Sequence, residues 1–200
     1  MTMQSSLLRL PRALIVLFFL VAAGCGTGSE DSETPASNTP YGGDPHPIPG
    51  TIEAEHYDRG AAGEAYYDND ETNQGADYRT GTQVDIEKRS DASNGHGIGW
   101  ATAGEWLTYT VDVRESGTYT VEFPVASNKE GGTFHLEIQG TDITGPIRIP
   151  DTGGWQHLEM IQTEDVELEA GVHIMKLSMD TNGESGGVGD IDYMRFTKAD

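Results

Sequence analysis

A tryptophan in an unfavourable position is the first residue of this chain that could do chemistry. In "DTGGWQHLEM", residues 151–160, Trp155 follows two glycines and an aspartate's turn. Glycines give turns, and turns lie on the surface. Leaving a large apolar side chain wet costs about 1.5–3 kcal/mol. A ring kept there either covers an edge of the core or offers a flat face for stacking. The next candidates are carboxylates. Glu53 and Glu55 in "IEAE", and Asp190 and Asp192 in "DIDY", are each spaced two apart. In a strand that spacing puts both on one side. Facing carboxylates repel one another unless a hard cation with oxygen ligands sits between them. A glycosidase would instead need two carboxyls across a cleft, one with a raised pKa. The chain has no nucleophile elbow, phosphate loop or zinc motif. "DNDET", residues 68–72, resembles half a calcium loop but lacks the glycine and the distal glutamate. The six histidines show no short metal-ligand spacing. His135 sits in an alternating stretch and is expected to face solvent, while His96 lies near Trp100 in sequence.

The composition sets limits on partners. The 200 residues contain 12 Lys plus Arg against 33 Asp plus Glu, a net charge of −21. Nucleic acid needs a basic partner, so the charge argues strongly against it as a ligand class. Sulfated and uronic-acid-rich glycans are disfavoured for the same reason. Length alone suggests one domain of ordinary size. Residues 1–24 have the layout of a secretory signal, with Arg9 and Arg12 ahead of the apolar run "ALIVLFFLVAAG". They end at Cys25, the only cysteine, in a context resembling a bacterial lipoprotein box. The expectation is an exported protein, lipidated at Cys25 and touching the membrane only by that anchor, facing periplasm or cell exterior. Residues 26–50 are rich in Gly, Ser, Thr and Pro and are expected, with Cys25, to form a flexible tether. The folded domain is expected over 51–198.

That domain reads as strands. In "EWLTYTVDV", Leu107, Tyr109, Val111 and Val113 alternate with polar residues. Tyr119, Val121, Phe123 and Val125 do the same in "YTVEFPV", and Phe134, Leu136 and Ile138 in "FHLEI". Period two with β-branched and aromatic residues marks half-buried strands. Pro124 marks an edge or a bulge. Further strands are expected at 52–55, 147–149, 157–162, 172–179 and 191–197, with loops over 58–99. Glycine, 26 residues, punctuates them. The fold class is all-β, a β-sandwich of two antiparallel sheets.

Seven landmarks then fall in order: "TIEAEHYD", "YRTGTQVDIE", "GIGWATAGEWLTYTVDV", "GTYTVEFPVAS", "IPDTGGWQHLEM", "LEAGVHIMKL" and "GDIDYMRF". The succession resembles family 6 carbohydrate-binding modules, jelly-roll sandwiches that travel with polysaccharide-degrading enzymes. The resemblance implies a sugar ring clamped in the end loops between Trp155 and Trp100. It implies a hydrogen-bonding residue at Asp190, where the family usually has Asn, and an added carboxylate at Glu87. It also implies a structural calcium, remote from the sugar, on Glu53, Glu55 and Asp192. Physical chemistry is compatible with the clamp: an electron-rich aromatic face meets the weakly positive C–H face of a pyranose. Trp106 lies on the strand face opposite Leu107 and Tyr109, where sheet packing is expected.

The function expected is non-catalytic binding of a neutral polysaccharide or oligosaccharide. Two other classes are compatible with the sequence: a calcium-stabilised adhesion or assembly protein that binds another protein, and a small carbohydrate-active hydrolase. Loss of glycan binding on Trp155→Ala, a sugar-indifferent protein partner, and release of reducing ends would separate the three.

Overall fold

The computed structural model describes residues 38–75 and 78–200. The signal-like segment 1–24 and Cys25 lie outside them. Fourteen strands occur among the described residues, with one turn of 3-10 helix at Ala54–His56 and no α-helix. Alternating apolar residues leave one face of each strand to be buried, and two sheets packed face to face bury it.

The first sheet contains β1 (His46–Ile48), β3 (Tyr66–Tyr67), β6 (Trp106–Val113), β8 (Thr133–Ile138), β9 (Thr141–Asp142), β10 (Ile147–Arg148) and β12 (Gly171–Thr181). Its order is β1-β6-β12-β8-β10, with β3 on β6 and β9 on β8. The second contains β2 (Gly50–Glu53), β4 (Ile86–Lys88), β5 (His96–Ile98), β7 (Gly117–Ala126), β11 (Glu159–Leu168), β13 (Asp190–Ile191) and β14 (Tyr193–Lys198). Its order is β2-β14-β7-β13-β5-β4, with β11 on β7. Every pairing is antiparallel except β1 with β6, which is parallel.

The inward faces are those the alternation marks. Leu107, Tyr109, Val111 and Val113 from β6 and Tyr119, Val121, Phe123 and Val125 from β7 are buried in one core. Phe123 meets Phe134 of the opposite sheet edge-on, with centroids 5.1 Å apart, the preferred geometry for aromatic quadrupoles. The buried Tyr109 hydroxyl donates to the Ala54 carbonyl at 2.7 Å, so its burial leaves no orphan. Pro124 lies in β7, with strands on both sides. The register slips there, between Ile191↔Val125 and Arg195↔Glu122, and Asp192 N–H donates to the Pro124 carbonyl. The proline therefore occupies an irregularity rather than an edge.

Three expectations change. The folded part begins well before Thr51. His46–Ile48 pairs with β6, and Ile48 is fully buried. Thr39 exchanges backbone hydrogen bonds with Arg59, and Tyr41 stacks on His56 at 4.2 Å. From residue 38 on, the stretch read as a tether is part of the sandwich, because one aliphatic and one aromatic side chain anchor an otherwise polar segment. Next, "IEAE" is not one strand: the chain leaves β2 at Glu53 and turns through Ala54–His56. Finally, 58–99 is not all loop, since β3, β4 and β5 lie within it.

Candidate functional site

Four loops cluster by backbone hydrogen bonds: those following β5, β7, β10 and β12. Val188 N–H donates to Ala101 O at 2.7 Å, Gly132 to Val188 at 2.7 Å, Gly131 to Ile149 at 3.0 Å and Thr152 to Ser127 at 3.1 Å. Against this cluster lies a half-open concavity of about 240 Å³ lined by Glu87, Trp100, Trp155 and Asp190. The structure thus brings together all four residues expected to form the binding site.

Each tryptophan is held by its own backbone. Trp100 has φ +50°, a left-handed conformation rare for a bulky residue and a form of stored strain. It sits between Gly99, whose N–H donates to Asp85 O, and Ala101, pinned by Val188. Trp155 follows Gly153, whose φ of +82° needs glycine. Asp151 Oδ1 accepts from Gly153 N–H at 2.9 Å and from Lys129 N–H at 3.0 Å. The buried Thr152 hydroxyl accepts from Ser127 N–H at 3.0 Å. The two residues are 48% and 37% exposed respectively, so each keeps surface free for contact with a ligand.

The two carboxyl groups belong to an ion-pair network centred on Arg89. Asp190, in β13, is 3% exposed, and its Oδ2 accepts from Arg89 Nη1 at 2.6 Å. The same nitrogen donates to Glu87 Oε2 at 2.8 Å. Arg89 also donates from Nε and Nη2 to Asp91, at 3.2 and 2.9 Å. Gln156, beside Trp155, donates to Glu87 Oε1. Burial pushes the Asp190 carboxyl up to about 8, against the pull of Arg89, with Glu87 raising it further. Arg89 and Gln156 were missed from sequence. The signal for Arg89 was present, because Glu87 and Arg89 are two apart around β4.

The expected metal ligands are placed apart from this pocket but share a loop with it. Ser93 Oγ donates to Glu53 Oε2 at 2.7 Å and to Asp192 Oδ1 at 3.3 Å. Ser93 N–H donates to Asp192 Oδ2 at 3.1 Å, and Asn94 Nδ2 donates to Glu55 Oε1. Glu55 is fully buried, and its Oε2 has no partner. Burial pushes Glu55 up to about 7, with Glu53 and Asp192 adding to the rise, and pushes Asp192 up to about 6. Among the described residues, no group of three or more His, Cys, Asp or Glu converges as it stands to hold an ion. The donor chemistry and the orphaned Glu55 oxygen nevertheless fit a hard, oxygen-seeking cation.

The remaining candidates have ordinary roles. His96 stacks on Tyr78 at 4.5 Å and does not line the pocket. His135 is paired to Asp180 at 2.7 Å. Trp106 lies under the Lys176 ammonium at 5.7 Å.

Comparison with known proteins bears on the fold and the family. Residues 74–198 match the carbohydrate binding module (family 6). The clotting factor G alpha subunit of Tachypleus tridentatus is 30% identical over 137 residues, 66% of this chain and 19% of that protein. The beta-agarase AgaA of Microbulbifer thermotolerans is 24% identical over 105 residues, 52% of this chain and 24% of that protein. The chain thus spans only about a fifth to a quarter of these relatives. A carbohydrate-binding module of Cellvibrio mixtus lichenase 5A, solved with cellotriose, superposes with a TM-score of 0.55 at 29% identity, over 76% of this chain and 98% of that one. A match of more than half the chain, on a two-sheet sandwich of the same jelly-roll shape, places this chain in the family 6 carbohydrate-binding modules.

Proposed function

We propose that the chain is a non-catalytic glycan-binding module. Its Trp100 and Trp155 rings stack on the two faces of one sugar unit of a polysaccharide or oligosaccharide free of acidic groups. One observation carries the reading: two exposed indoles line a single concavity with two carboxyl groups able to hydrogen-bond sugar hydroxyls. Stacking on an aromatic ring is worth about 1–3 kcal/mol for a base, a scale taken over here for sugars. Two rings less the cost of association give weak affinity, roughly micromolar to millimolar. Lipidation at Cys25 after export would array such weak sites on a membrane surface, where avidity compensates. Calcium on Glu53, Glu55 and Asp192 would fix the turn after β2 to the β13–β14 junction, and would serve structure rather than binding.

The test is binding of the protein to a panel of plant and algal polysaccharides, including xylan, β-glucans and agar. Trp155→Ala is expected to lower affinity for the ligand found by roughly 5- to 150-fold, with the melting temperature nearly unchanged. A variant that binds as well as the parent defeats the clamp. Release of reducing ends from a bound polysaccharide defeats the non-catalytic role.

A further inference from the structure

The charge on the pocket wall is one-sided. Its four lining residues are two indoles and two carboxylates, with no cation among them. The nearest balancing charge, Arg89, has a fully buried side chain. It is shared among three carboxylates: Glu87, Asp190 and Asp91. One positive charge therefore faces three negative ones, and the balance stays negative even with one carboxyl protonated. Arg89 engages Asp190 through Oδ2 only, which leaves Oδ1 without an Arg89 hydrogen bond. Aromatic faces carry the negative end of their quadrupole, so both indoles add to the attraction for a cation.

We propose that this pocket prefers a sugar bearing a protonated amine, a 2-amino-2-deoxyhexose unit, over the same sugar bearing a hydroxyl. The proposal rests on the glycan reading above and names the ligand class within it. An ammonium offers three N–H donors and a positive charge to the carboxyl oxygens of the pocket wall. A hydroxyl satisfies the same oxygens without the charge, and a carboxylate or sulfate meets repulsion.

The experiment titrates the full chain with matched oligosaccharides that differ only at C2: glucosamine against glucose tetramers, and galactosamine against galactose tetramers, at pH 6. In at least one pair the amine is expected to bind about ten-fold tighter, a difference of about 1.4 kcal/mol. N-acetylation should remove the preference, 1 M NaCl should shrink it, and Glu87→Gln should lower the amine-to-hydroxyl affinity ratio several-fold. If neutral sugars bind as well as or better than their amines in both pairs, this proposal falls and the glycan reading stands. If neither these sugars nor the polysaccharide panel binds, both fall together.

Discussion

Arg89 does more for the site than its hidden position suggests. Its side chain is buried and meets three carboxylates, two of which line the pocket. Removing it would leave Asp190, 3% exposed, with no counter-charge. Breaking a buried pair in this way costs about 3–5 kcal/mol, because the carboxyl left behind must either stay charged without its partner or take up a proton. Arg89→Ala is therefore expected to lower the unfolding free energy by about that amount in urea denaturation, while the double variant Arg89→Ala, Asp190→Asn recovers part of the loss. A single variant as stable as the parent would show that Arg89 is idle. Legibility in the sequence varied from residue to residue. Trp155 stood out because a wet indole after two glycines needs a reason. The sugar-binding role of Glu87 and Asp190 could be named only through resemblance, since no local pattern assigns that role among 33 acidic residues. Arg89 meets Asp190 across 101 positions of chain, and no periodicity reports a contact of that separation.

At the scale of elements, the long strands were legible because alternation writes burial directly into the sequence. β6, β7 and β12 carry it over 8, 10 and 11 residues. The short elements were not, because two or three residues cannot show a period. β1 is the instructive case. "HPI" sits in a Pro- and Gly-rich context that reads as a tether, yet it adds a parallel edge to β6 and buries Ile48 completely. Fully burying one such side chain is worth about 1.5–3 kcal/mol, and each hydrogen bond about 1 kcal/mol net. A chain beginning at Thr51 also loses the Tyr41–His56 stack and the Tyr41–Tyr78 hydrogen bond. It is expected to be at least about 3 kcal/mol less stable than one beginning at Asn38. At about 2–4 °C per kcal/mol for a domain of this size, calorimetry should register a fall of about 6–12 °C or more. Equal melting temperatures would mean that the segment merely rests on the sheet.

The whole molecule carries 21 excess negative charges, and self-repulsion weakens any compact state so charged. Added salt screens that repulsion, so every cation will stabilise this protein to some degree. A calcium effect must therefore be separated from general screening. Glu55 provides the distinction. A fully buried carboxylate oxygen without a partner gains a ligand from an ion that fits the cluster and nothing from ions that stay in bulk solvent. Calcium accepts irregular, carboxylate-rich coordination of the kind proposed for Glu53, Glu55 and Asp192, whereas magnesium demands near-ideal octahedra and keeps its waters. At calcium a hundred-fold above its dissociation constant, linkage supplies about 2.7 kcal/mol, or about 5–11 °C in melting temperature. Melting curves at one fixed ionic strength should therefore rank calcium well above magnesium and EDTA, with the last two close together. Glu55→Gln should bring calcium down to their level, while sodium chloride still raises all three in parallel. Superimposed curves for calcium, magnesium and EDTA in the parent protein would leave charge screening as the whole account and remove the metal from it.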